Sequence, residues 1–122
     1  MSQVLLVAAF GLLGVLARYG LDVTFSGSES PWPISTFIIN LTGSLLAGMA
    51  YGAGIERGWM APELRIAVMT GFLGGFTTFS AYALQGMRLL ANAPGLAIAY
   101  LTLSPALGVL CAYLGLAVIR KL

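Results

Sequence analysis

Four long apolar runs, separated by short polar connections, organise the chain; they cover about residues 4–21, 34–54, 63–90 and 95–119. Each approaches or exceeds the roughly 20 residues an α-helix needs to cross a bilayer core. Local signals agree with these limits: Pro31, Trp32 and Pro33 precede the second run and Pro62 opens the third. The pattern predicts an all-α membrane protein with four transmembrane helices, occupying residues 1–122 as a single transmembrane domain. The third run is unusual because its middle reads GGFTTFSAY, residues 74–82. Gly74 and Gly75 are poor helix formers, and Thr77 and Thr78 are β-branched with hydroxyls that compete for backbone groups. The third helix is therefore expected to break near its midpoint. Backbone carbonyls freed at mid-membrane need protein or an ion to satisfy them, and such oxygens suit a hard cation such as sodium. Phe79 and Tyr82, three apart, fall on one face beyond the break, either as packing aromatics or with electropositive ring edges offered to an anion.

Composition supports the membrane assignment, since 59% of residues are hydrophobic and 8% charged, against about 25% charged in soluble domains. The opening residues, through Arg18, resemble an apolar leader but lack a basic n-region and are followed by further spans, so they are read as the first span. A net charge of +2 without a basic cluster argues against nucleic acid as a partner. Arg120 and Lys121 are expected to anchor the last helix at the lipid headgroups, and Trp32 and Trp59, in connections, to sit in the same layer. Cys111 reads as a small buried hydrophobe. The side carrying both termini and the second connection holds Arg57, Arg65, Arg120 and Lys121, and the other side Arg18 and Arg88. That bias is weak. The chain takes either one loosely specified orientation or both, and in the second case it can pair with itself antiparallel. Gly48 with Gly52, Gly71 with Gly75, and Gly108 with Ala112 are small residues one turn apart, the spacing that lets membrane helices approach closely.

Histidine is absent, and Asp22, Glu29, Glu56 and Glu63 lie at span ends or in connections. No triad, metal cluster or carboxylate pair can form within the bilayer, which argues against an intramembrane enzyme and against a proton-coupled exporter that needs a buried carboxylate. What the spans hold is neutral. Thr36, Asn40 and Ser44 recur every four residues, as do Tyr100 and Ser104, so each set shares a helical face. Interhelical hydrogen bonding is one use for such groups; Asn40, with two donor hydrogens and a high burial cost, carries more functional weight. Neutral donors replace an anion's hydration without holding it as firmly as a buried cation would, which suits rapid passage.

Three stretches, GGFTTFS at 74–80, IINLTGS at 38–44 and GLLGVLARY at 11–19, together resemble the Fluc (CrcB) family of bacterial fluoride channels, and the likeness covers essentially the whole chain. The resemblance implies a passive fluoride-selective channel of the bacterial inner membrane that exports cytoplasmic fluoride and protects against its toxicity. It implies an antiparallel, dual-topology homodimer with a structural sodium ion at the dimer centre, held by the backbone carbonyls of Gly74 and Thr77. It implies a fluoride path along Asn40, Thr78, Phe79, Ser80, Tyr82, Tyr100 and Ser104, with Arg18 at an interface or vestibule. The family motif often continues with a threonine, an aromatic residue, a serine and, two positions on, a glutamate; here the run is Ala81, Tyr82, Ala83, Leu84, Gln85, and Gly108 stands where the polar track has a third hydroxyl. A half-subunit that pairs with a homologue, and a cation-coupled small-solute exporter, are the alternative expectations. Partners are accordingly fluoride, the lipid bilayer and a second copy or homologous subunit.

Overall fold

A computed structural model describes residues 2–122, and every regular element in it is helical. Helix α1 spans Gln3–Phe25 and α2 spans Ile34–Glu56, its last turn, Gly52–Glu56, being of the wider π type. The third span, Pro62–Asn92, is split into α3, residues 62–76, and α4, Phe79–Asn92; α5, Pro94–Lys121, closes the chain. All four spans are long and apolar enough to cross a membrane. The chain is a multi-pass membrane protein. Boundaries fall near those expected, except that α1 continues past Asp22 to Phe25. Its polar last turn stays helical because Thr24 Oγ1 donates to Gly20 O at 2.8 Å and Ser26 Oγ donates to Val23 O at 2.7 Å.

Two seams hold the bundle together. A Cβ added at Gly14 would lie 2.1 Å from Phe72 O, and one at Gly75 would lie 2.5 Å from Gly11 O, so α1 and α3 touch backbone to backbone. In the second seam, between α2 and α5, the corresponding distances are 1.8 Å from Gly48 to Ala112 O and 2.1 Å from Gly115 to Leu45 O. Close approach replaces the hydrophobic drive that lipid cannot supply between helices. The break lets the third span serve both seams: α3 packs on α1, and α4 turns to pack on α5.

The break lies at Thr77 and Thr78, whose backbones are extended, while Gly74 and Gly75 remain helical in the last turn of α3. The threonines, rather than the glycines, end the helix. Thr77 directs both its N–H, at 3.0 Å, and its Oγ1, at 2.8 Å, to Leu73 O. Thr78 Oγ1 then accepts from Ala81 N at 3.2 Å and caps α4.

At the end where α2 finishes and α5 terminates, Arg120 and Glu56 form a bidentate ion pair with contacts of 2.8 and 2.6 Å. Arg57 donates to Arg120 O at 2.6 Å and lies 5.6 Å from the Trp59 ring centre. Arg120 therefore pairs with an acid rather than extending freely. Trp59 is exposed, whereas Trp32 packs edge-on against Phe37 and Tyr100 at 5.3 and 5.4 Å and closes the core beside its connection.

Candidate functional site

An unwound segment inside a membrane must account for every backbone group, and here the accounting is selective. Asn40 meets Thr78 at both ends of its amide: Oδ1 accepts from Thr78 N at 2.8 Å and Nδ2 donates to Thr78 O at 2.9 Å. Arg18 Nε donates to Gly75 O at 3.1 Å. Leu73 O takes both bonds from Thr77. The carbonyls of Gly74 and Thr77 receive no hydrogen bond from any described residue. They are the two oxygens expected to face a cation, and both residues line the groove described next.

That groove, about 580 Å³, runs between α2, the break and α5. Asn40, Ser44, Thr78, Phe79, Tyr82 and Ser104 line it, and among the described residues no charged side chain does. One of the two Nδ2 hydrogens of Asn40 remains after the bond to Thr78 O. Ser104 Oγ is buried without a partner. A buried hydroxyl without a bond is costly unless something visits it. Phe79, 79% exposed, and Tyr82 sit with ring centres 5.7 Å apart and planes tilted by 42°.

Pro105, in the middle of α5, explains how Tyr82 is fixed. Proline has no N–H, so the carbonyl one turn earlier, Leu101 O, loses its helical donor. Tyr82 donates its hydroxyl to that oxygen at 2.6 Å. The aromatic is thereby tied to the opposite wall of the groove. A mid-helix proline frees such a carbonyl, so Pro105 is the sequence signal from which a partner for Tyr82 could have been sought.

The remaining site residues fall elsewhere. Tyr100 is wholly buried behind Tyr82 and does not line the groove; its hydroxyl donates to Gln85 Oε1 at 3.0 Å, and Gln85 Nε2 donates to Thr36 Oγ1 at 2.8 Å. Tyr100 shares a helical face with Ser104, but the groove ends between them and the Trp32 and Phe37 side of the core begins. Ser80 is exposed outside the groove, 3.4 Å from Thr78 Oγ1. Arg18 lies outside the groove and reaches the break, where it holds the last turn of α3 through Gly75 O.

The fold and the site define a class: a multi-pass membrane protein whose broken helix and partner spans form a polar, uncharged groove. The chain matches the family model for "CrcB-like protein, Camphor Resistance (CrcB)" over residues 5–116 and belongs to that family. It is 37% identical to a protein of Methylobacillus flagellatus named fluoride-specific ion channel FluC, over 98% of this chain and 96% of that one. It is 38% identical to fluoride-specific ion channel FluC 2 of Bacillus cereus, over 95% and 96% of the two chains. To a fluoride-specific ion channel FluC of Rhizobium meliloti it is 36% identical, over 100% and 99%.

Proposed function

We propose that this protein is a passive, fluoride-selective channel of the bacterial cytoplasmic membrane, which lets cytoplasmic fluoride escape and so limits its toxicity. The observation that carries the proposal is the uncharged groove, in which the donors of Asn40 and Ser104 stand free beside Phe79 and Tyr82, in a chain whose near full-length relatives are named for fluoride conduction. A small anion leaving water exchanges its hydration for these hydrogen bonds one after another. Because none is a fixed positive charge, each holds the ion weakly enough to release it. Asn40, fixed through the Thr78 backbone, and Tyr82, fixed through Leu101, offer the ion groups whose positions are already set.

The working unit in this proposal is an antiparallel homodimer. The Gly74 and Thr77 carbonyls of both copies suit a sodium ion at its centre, which would supply the positive partner these oxygens lack. The thermal stability of the dimer should then rise in sodium chloride relative to N-methylglucamine chloride, and equal stability in the two would reject the ion. Tags on the C-terminus are expected on both faces of the membrane, and a single face would reject the antiparallel arrangement.

The deciding experiment is potassium-driven efflux from liposomes holding this chain alone. Fluoride efflux is expected without chloride efflux and without a coupling gradient. Phe79→Ile should keep the dimer intact and slow fluoride markedly, since it removes a ring while roughly keeping bulk. Comparable chloride flux, or no fluoride flux from the parent, would overturn the proposal.

A further inference from the structure

The hydroxyls within the spans find different partners. Those of Thr24, Thr77 and Thr102 donate to the carbonyl one turn earlier, Gly20, Leu73 and Ile98. That is the usual fate of a hydroxyl with no other partner in a membrane helix. Thr42, Thr70, Ser104 and Ser44 make no hydrogen bond to any described residue, and of these four only Ser104 and Ser44 line the groove. Ser44 stands one turn beyond Asn40 on α2, facing Gly108, which stands one turn beyond Ser104 on α5. A Cβ added at Gly108 would meet only the Ser44 hydroxyl, at 3.4 Å. Farther along the groove the lining is Ala47, Met69, Val109 and Ala112, without a polar side chain. Ser44 is therefore the last side-chain donor before that apolar end.

We infer that Ser44 is a conduction residue of this chain: its hydroxyl receives the anion passed on from Asn40 and Ser104, at the level where Gly108 leaves α5 without a donor. The inference rests on the channel proposal above and adds to it a residue and a reason. The serine hydroxyl rotates freely because no carbonyl holds it, so it can turn its hydrogen to the ion and back. Gly108 keeps the space beside it open.

The test is fluoride efflux per reconstituted dimer for the parent and four variants. A hydrogen bond to a charged group is worth enough that Ser44→Ala should lower flux by roughly tenfold. Ser44→Cys keeps the shape but offers only a weak donor, and should give a similar loss even if the alanine variant assembles poorly. Gly108→Ser in the Ser44→Ala background should restore most of the flux, because it returns a hydroxyl to the same level from the opposite wall. Gly108→Ser alone should conduct, which shows that the position admits a side chain. Rescue is the readout a purely structural serine would not give. Parent-like flux in Ser44→Ala, or failure of Gly108→Ser to rescue, overturns the inference while parent conduction leaves the channel proposal standing. A parent that conducts no fluoride overturns both.

Discussion

The seam between α2 and α5 and the break between α3 and α4 lie side by side, and they treat the backbone in opposite ways. In the seam, glycine brings main chain against main chain, as at Gly48 and the Ala112 carbonyl, within two continuous helices. In the break, the main chain leaves its own hydrogen-bond ladder, and Asn40, Arg18 and the two threonine side chains satisfy part of what is freed. The seam is close to rigid because the atoms that would collide are backbone. The break is adjustable because side chains complete it, and its incompletely satisfied groups are where a ligand gains something by binding. Stability and chemistry are therefore separated within a few residues of each other.

The largest expected effect comes from attacking the seam. In Gly48→Val, the new Cβ would lie 1.8 Å from Ala112 O and 3.0 Å from Ala112 Cα, and no rotamer moves a Cβ. The cost should exceed the ~1–3 kcal/mol typical of overpacking. Loss of the folded species on size-exclusion chromatography is the expected result; a parent-like profile would mean that the seam is looser than its geometry.

Next comes the polar link between the two regions. Asn40→Leu keeps the volume and removes both partners of Thr78, whose N–H and C=O then lie inside the subunit unpaired. Each orphaned group costs about 1–3 kcal/mol. A fall in the thermal midpoint together with loss of fluoride efflux is expected. Efflux lost with no change in midpoint would place Asn40 on the ion path alone and deny it the role of completing the break.

This double use marks what the sequence could and could not disclose. Four spans and a mid-helix break follow from local composition, because long apolar runs and tandem threonines act through their own backbones. The reason for the glycines does not follow: Gly75 is defined by Gly11 on another helix, a relation that spacing within one span leaves open. Asn40 was legible as a polar residue of weight, but half of its amide serves Thr78, thirty-eight positions away. Tyr100 shows the limit of helical periodicity. One face was assigned to it and Ser104, yet one turn along α5 the neighbour changes from open groove to the rings of Trp32 and Tyr82. Arg18, counted as a connection charge, reaches the break at mid-span instead. Of the basic residues counted on that side, Arg88, toward the end of α4, then remains, which makes the tag-orientation experiment a sharper test of dual topology.

A smaller effect on the subunit is expected at Gly74, and its interest lies in where the effect shows. A Cβ there meets nothing within 4 Å, so Gly74→Val should leave the isolated subunit's helicity near the parent's. If the Gly74 carbonyl faces a second copy and a shared ion, the same substitution should reduce dimer content and abolish stabilisation by sodium. Intact dimer with unchanged sodium response would show that this face of the break is lipid-exposed and unused.

The smallest effect tests the contrast most directly, because it puts a clash in the break where the colliding atom belongs to a side chain. A Cβ at Gly43 would lie 2.2 Å from Thr77 Cγ2 and 3.3 Å from Phe76 Cδ1. Gly43→Ala alone should therefore destabilise by ~1–3 kcal/mol. Thr77→Ser alone keeps the hydroxyl for Leu73 O and the free carbonyl, and loses one methyl, worth ~1 kcal/mol. Combined, the alanine methyl takes the space the threonine methyl leaves, and only the Phe76 ring has to shift by a few tenths of an ångström. The double variant should be more stable than the sum of the two losses, with a coupling of ~1–2 kcal/mol, and should conduct nearly as the parent does. A double-mutant cycle on thermal midpoints reads this out. Strict additivity would mean that the main chain around Thr77 is as unyielding as the seam at Gly48, and the distinction between a rigid seam and an adjustable break would fail.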